Sequence, residues 1–245
     1  ELKFSWQSAV SGNAMAGPGT LDLQGTLARA DGARVHRYLP LAMEKDSHEY
    51  LRAALLGGVA SNVQFKVKGD LAKFPYRTGQ SGEFRIAASV QNGSFAFAPA
   101  YVLPKDSLPW PVLNQLQGEM VLDRDVLQVK INRGLVGGTG LQIGKAEAQV
   151  TRLYDASQVN VTAEAKGPLP DLLTVVNTSP LGPLMDKALA QTTATGVADY
   201  KLKLGFPVSD VNKATVQGSI VLSGNDLQII PDTPKFSRAR GTINF

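Results

Sequence analysis

The chain repeats itself, and no other feature limits its fold so tightly. Phe74-Pro75-Tyr76 returns as Phe206-Pro207-Val208, 132 positions on, and the stretch from Gly82 to Pro99 returns from Gly218 to Pro231, closing at the same 132 spacing. Leu116-Gln117-Gly118-Glu119-Met120-Val121 returns as Ala239-Arg240-Gly241-Thr242-Ile243-Asn244, with the glycines 123 apart. Leu21-Asp22-Leu23-Gln24-Gly25 precedes a first helical stretch as Val159-Asn160-Val161-Thr162-Ala163 precedes a second. Residues 1–110 read as one unit, and 111–245 as a second unit plus the start of a third. A unit of this kind cannot bury its apolar face alone, so neighbouring units are expected to continue one sheet.

Within each unit the pattern is that of strands. Val63-Gln64-Phe65-Lys66-Val67-Lys68, Glu83-Phe84-Arg85-Ile86 and Tyr200-Lys201-Leu202-Lys203-Leu204 alternate apolar with polar residues, which places the two kinds on opposite faces. Asn92-Gly93, Asp123-Arg124-Asp125 and Gly224-Asn225-Asp226 carry turn chemistry, and each is expected to close a hairpin. Pro75, Pro99, Pro207 and Pro231 mark strand ends, because proline cannot donate to a ladder. Two stretches switch to helical character. One is a pair over about 35–56, Val35 to Leu41 and Ser47 to Leu56, with Asp46 or Ser47 as N-cap and Gly57-Gly58 as stop. The other is a pair over about 170–191, Pro170 to Asn177 and Leu184 to Gln191. Tyr50, Leu51, Ala54 and Leu55 form a stripe that must pack on the sheet. The expected fold is mainly β with short helical inserts: an elongated, curved, mostly antiparallel sheet forming an open groove built from repeated units. With ~12–16 strands at ~4.8 Å it would extend roughly 60–75 Å.

Composition supports strands and narrows the chemistry. Of 245 residues, 43% are hydrophobic, 19% are charged and 24 are glycine, a balance poor in charge for a helical bundle. With no cysteine there is no disulfide framework, thiolate metal site or thiol nucleophile. The net charge of +4 is spread without a basic run interleaved with aromatics, so nucleic acid is not an expected partner. The longest apolar stretches, such as Ala53 to Ala60, fall far short of the ~18–20 residues of a membrane-spanning helix. The chain opens within one strand pattern, Leu2 to Trp6, and closes within another, Gly241 to Phe245. It therefore reads as a fragment, with any targeting signal or anchor expected outside it.

Catalytic and cofactor signals do not assemble. His36 and His48 are the two histidines, with no carboxylate constellation beside them, and read as structural. The glycine-rich run Gly134 to Lys145 has Thr139 where a phosphate loop needs glycine and Ala146 where it needs Ser or Thr, and it leads into a strand. Its glycines read as turns and bulges. Asp123 and Asp125 flank a turn, where aspartate bonds its own backbone. No enzyme, cofactor or metal is expected.

The ordered set of segments resembles a known family. Val35-His36-Arg37-Tyr38-Leu39-Pro40, then Tyr50 to Gly58, then Phe74-Pro75 are similar to the YhdP branch of AsmA-like proteins. Gly167-Pro168-Leu169-Pro170-Asp171-Leu172-Leu173, Asn177-Thr178-Ser179-Pro180-Leu181 and Gly218 to Asn225 follow the same pattern in order. The resemblance covers about residues 20–245. It implies a segment of a long periplasmic protein, anchored in the inner membrane by a part outside this chain. The implied ligand is phospholipid, passing between inner and outer membranes along a repeated β-groove without catalysis.

The candidate lipid-facing residues come from strand alternation: Val63, Phe65, Val67, Phe84, Ile86, Phe95, Phe97, Val121, Leu127, Val129, Ile131, Leu202, Leu204, Ile220, Leu222, Leu227 and Ile229. Leu51, Leu55, Leu172 and Val176 are expected to pack helix against sheet. Two other readings stand beside the conduit. One is a scaffolding repeat whose apolar face is filled by its own side chains. The other is an enzyme on envelope glycan or lipid, which would need a carboxylate pair converging in a cleft.

Overall fold

The computed structural model describes residues 1–11, 14–39, 45–210 and 213–245. Among these residues are twelve strands: β1 Leu2–Ser11, β2 Ala14–Asp31, β3 Leu55–Asp70, β4 Glu83–Phe95, β5 Leu113–Asp123, β6 Val126–Val136, β7 Gln142–Thr151, β8 Gln158–Pro168, β9 Thr193–Ala194, β10 Val197–Pro207, β11 Thr215–Gln228 and β12 Phe236–Asn244. Three α-helices join them: α1 Lys45–Ala54, α2 Leu169–Asn177 and α3 Leu181–Leu184. All strands belong to one open sheet, in the order β1-β2-β3-β4-β5-β6-β7-β8-β10-β11-β12, with β9 beside the end of β11. Every pairing is antiparallel. Eleven strands side by side give a sheet about 48 Å across at ~4.8 Å per step, shorter than the sequence suggests. β4 and β5, which lie on either side of residue 110, pair directly, so the sheet continues there without a break.

Because neighbouring strands run in opposite directions, successive connections alternate between two rims. The connections after β2, β4, β6, β8 and β11 lie on what is here the upper rim, and those after β3, β5, β7 and β10 on the lower. Both helical inserts therefore fall on the upper rim. The first comprises a 3₁₀ turn, Gly32–Tyr38, and α1. Pro40 and Leu41, part of the expected first helix, lie outside the described residues. Leu55 and Leu56 open β3 instead of ending the helix, and Leu55 pairs with Phe95. The second insert is α2 and α3, so the expected helix from Leu184 to Gln191 is displaced toward the N-terminus.

Of the three expected hairpins, one forms. Asp123 pairs with Val126 across Arg124-Asp125, with Arg124 at φ 52°. Asn92-Gly93 and Gly224-Asn225 lie inside β4 and β11, where the register shifts and the strand continues. One type of bulge uses the same positive-φ backbone as a tight turn, and Asn92 (φ 50°) and Gly224 (φ 108°) supply it. Asn62 (φ 51°) in β3 and Gln115 (φ 51°) in β5 do the same, so bulges cross β3, β4 and β5 toward the upper rim. Bulges bend strands and increase their twist, which is how a wide sheet departs from flatness.

The tightest packing sits under α2. Leu141, Leu169, Ala198, Tyr200 and Leu222 form a buried cluster, with Leu172, Val175, Ile220 and Ala165 against it. Leu169, Leu173 and Val176 are the buried face of α2. Elsewhere the strands touch mainly their sheet neighbours, with α1 and short 3₁₀ turns against β2 and β3, and among the described residues no second sheet lies over them.

Candidate functional site: the open apolar face

Residues directly opposed in an antiparallel sheet share a face. The registers therefore trace which side chains stand together. One row runs Leu2, Gly25, Phe65, Ile86, Leu122, Leu127, Val150, Val159, Phe206, unbroken across nine strands. The next row toward the upper rim includes Met120, Val129, Ala148, Val161, Leu204 and Val216. A third includes Val90, Gly118, Ile131, Ala146, Ala163 and Leu202. No charged residue interrupts these rows. Most of their side chains are half-buried by their neighbours alone, while Leu2, Phe4, Trp6, Leu27, Leu202 and Val216 are exposed.

The opposite face is charged and laced across strands. Lys66 meets Glu83 at 2.6 Å, Lys68 meets Asp22 at 2.8 Å and Lys201 meets Glu164 at 3.4 Å, with Arg85–Asp123 and Lys166–Asp199 at 3.4 and 3.5 Å. Such exposed pairs contribute ~0.2–1 kcal/mol each, so they fix register and solubility more than stability. The two shallow depressions on this face are lined by the same groups: one by Lys3, Gln24, Lys66 and Arg85, the other by Gln128, Lys130, Glu147 and Gln149. The cations of the first are already paired with Glu1, Glu83 and Asp123.

Twelve of the seventeen residues expected on the apolar face stand on it: Val63, Phe65, Val67, Phe84, Ile86, Leu127, Val129, Ile131, Leu202, Leu204, Ile220 and Leu222. Leu222 and Ile220 lie in and against the cluster under α2. Val121 is a correction. It is opposed by Ala87 and Gln128, on the charged face, because the two-residue turn at Arg124-Asp125 fixes Leu122 opposite Leu127. Phe95, Phe97, Leu227 and Ile229 lie beyond the bulges at the upper rim. Phe95 pairs with Leu55, Phe97 packs its ring 5.5 Å from Trp110, and Leu227 pairs with Ala194 and Phe236. Leu2, Phe4 and Trp6 of β1, Leu21 and Leu23 of β2, and Leu122, Val150, Val159 and Phe206 belong to the face as well. Hairpin parity, counted outward from Asp123, finds Leu122 and Met120 in the sequence.

The face is three apolar or glycine positions deep on ten strands, which at ~4.8 Å between strands and ~6.8 Å per residue pair makes an area on the order of 1,000 Å². The largest apolar patch of an ordinary monomer is ~300–600 Å², and a larger one marks an interaction surface. The side chains these three rows present are aliphatic, aromatic or glycine, which is the chemistry of a surface that shields hydrocarbon.

The family model for YhdP protein matches residues 1–245. A curated relative, the intermembrane phospholipid transporter YhdP of Escherichia coli (strain K12), is 27% identical over 216 residues, covering 88% of this chain and 16% of the relative's own length. The chain thus spans about one sixth of the curated relative it matches. No solved structure matches it. With the match running from the first residue to the last, the chain belongs to the YhdP family.

Proposed function

We propose that this chain is a segment of a non-enzymatic lipid conduit, carrying phospholipid acyl chains along its open apolar face between the inner and outer membranes. The observation that supports it best is the row from Leu2 to Phe206, apolar or glycine on each of its nine strands and, among the described residues, covered by no second sheet. A 16-carbon acyl chain carries roughly 12 kcal/mol of transfer free energy at ~0.8 kcal/mol per CH₂. A lipid crosses water readily only when that hydrocarbon stays shielded throughout. A face without deep pockets suits the task, because each step along it exchanges one aliphatic neighbour for another at little cost. The headgroup remains in water at the rim.

In this reading the two repeat units, 1–110 and 111–245, are successive lengths of one track in the periplasm, anchored to the inner membrane by a part of the protein outside this chain. The relative's description as an intermembrane phospholipid transporter supports the ligand and the location. The packed cluster under α2 is the part a filled-core scaffold would explain. It accounts for the upper ends of β8, β10 and β11 and includes no residue of the row from Leu2 to Phe206.

The test is native mass spectrometry, with lipid extraction, on the chain purified without detergent from a Gram-negative host. Phospholipid mass adducts are expected. A folded chain that carries none, and takes up none from added vesicles, would contradict the proposal.

A further inference from the structure

The connection 71–82 between β3 and β4 does more than turn the chain. It folds back over the apolar face at the lower rim. The Phe74 ring lies 5.1 Å from that of Phe84, edge on, and Phe84 stands on the apolar face opposite Val67. Tyr76 is fully buried. Its ring fills the space left by two glycines at the strand ends: a Cβ on Gly82 would lie 2.4 Å from Tyr76 Cδ1, and one on Gly69 would lie 2.9 Å from its hydroxyl oxygen. Two aromatic rings thus roof the lower end of β3 and β4.

The latch that holds the roof centres on Asp125. Asp125, in the β5–β6 turn and nearly buried, accepts hydrogen bonds from the Thr78 N–H at 2.9 Å and the Thr78 hydroxyl at 2.6 Å. From the other side, the β7–β8 connection grips the same turn. Leu153 N–H donates to the Asp125 carbonyl at 3.0 Å, and the Tyr154 hydroxyl donates to the Arg124 carbonyl at 2.9 Å. Arg77 reaches across to Asp155 at 2.9 Å, joining the two connections directly. Three lower-rim connections therefore interlock around Asp125, from the end of β3 to the start of β8.

Resting on the conduit reading above, we infer that the segment 71–82 is a strap, latched at Asp125, that closes the lower end of the apolar face over β3 and β4 and keeps lipid away from Val67 and Phe84. Hydrocarbon then occupies the rows nearer the middle of the sheet. It reaches the lower rim only where the strap is absent, toward Leu204 and Phe206. Unlatching the strap lengthens the accessible part of the face.

Methyl NMR on the full chain with a phosphatidylcholine carrying a nitroxide on its acyl chain reads this without altering the face. In the unaltered chain, the Leu204 and Val161 methyl signals are expected to broaden strongly and those of Val67 to persist. In Phe74→Ala, which removes the ring that lies on Phe84, and in Asp125→Ala, which removes the centre of the latch, Val67 is expected to broaden several-fold more than in the unaltered chain. Should Asp125→Ala not fold, Phe74→Ala alone decides. Equal broadening of Val67 and Leu204 in the unaltered chain would overturn the strap while leaving the conduit intact, as would continued protection of Val67 in Phe74→Ala. Absence of broadening at Leu204 and Val161 overturns the conduit reading, and the strap with it.

Discussion

The ring of Phe65 occupies the space above Gly25, the residue directly opposite it on β2: a Cβ built on Gly25 would sit 2.5 Å from Phe65 Cζ. Glycine in a strand weakens it by entropy and by missing side-chain contacts, and an aromatic ring laid over the gap restores contact from the neighbouring strand. Phe245 does the same for Gly218, where a Cβ would meet its Cζ at 2.3 Å. These pairs keep the apolar face filled where the strands themselves carry no side chain.

Gly25→Ala must therefore displace the Phe65 ring. A loss of about 1–3 kcal/mol is expected, the usual cost of overpacking. Because the cost arises from the ring, Gly25→Ala combined with Phe65→Ala should be less destabilising than the sum of the two. Urea unfolding of the four proteins in the double-mutant cycle measures the coupling. Simple additivity would mean that the ring does not rest on Gly25.

Asp125 should make the fold acid-sensitive. Burial pushes its carboxyl pKa up, but the hydrogen bonds from the Thr78 hydroxyl and N–H, with Arg77 nearby, outweigh this and hold it below the ordinary carboxylate value. A depressed folded-state pKa contributes stability that is present above the unfolded value of about 3.9 and is lost as pH falls through the folded one. Asp155, held low by the Ala156 N–H and by Arg152 and Arg77, acts in the same direction. Asp125→Ala is expected to cost about 2 kcal/mol near neutral pH, in the range for hydrogen bonds to a charged group. Its urea midpoint should also fall less steeply with pH below about 4 than that of the unaltered chain. Parallel curves for the two proteins would contradict the assignment.

Tyr200 sets the opposite limit. Its hydroxyl donates to the Gly167 carbonyl at 3.0 Å beneath α2, and burial, with Asp171 and Asp199 nearby, pushes its pKa up to about 12. A raised folded-state pKa contributes stability that is whole below the unfolded phenol value of about 10 and disappears as pH rises through the folded one. Stability should therefore decline above about pH 10. Tyr200→Phe should lose roughly 1 kcal/mol at neutral pH and show a shallower alkaline decline. Ultraviolet titration of the phenolates alongside unfolding midpoints checks both.

Strand identity and the open antiparallel sheet were legible because alternation and repeat spacing are written in single residues: Phe65 between Gln64 and Lys66, Leu202 between Lys201 and Lys203. Parity was harder to read where apolar residues are consecutive. Met120-Val121-Leu122 fits either face by composition, and only the two-residue turn at Arg124-Asp125 decides that Val121 points away. Asn92-Gly93 and Gly224-Asn225 misled for a related reason, since hairpins and bulges demand the same backbone and differ in whether the next strand pairs locally. The strap was not visible at all. Thr78 and Asp125 are 47 residues apart, and Arg77 and Asp155 are 78 apart. Only the folded meander brings their connections to one rim.

That parity predicts a contrast between neighbours. Val121→Asp, on the charged face beside Gln128, should change stability within about 0.5 kcal/mol, as a surface substitution does. Leu122→Asp places a charge in the row between Ile86 and Leu127 and should destabilise by more than about 1 kcal/mol. Equal effects in urea unfolding would show that the register of β5 is wrong.

The most direct test of the conduit compares two adjacent residues of β10. Leu204 stands on the apolar face between Val161 and Val216, whereas Lys203 stands on the charged face between Thr162 and Gln217. Phospholipid retained by the chain, counted by native mass spectrometry, is expected to drop at least tenfold in Leu204→Asp and to stay unchanged in Lys203→Asp, with both proteins folded. Retention by both, or the same loss in both, would mean that lipid does not ride on this face.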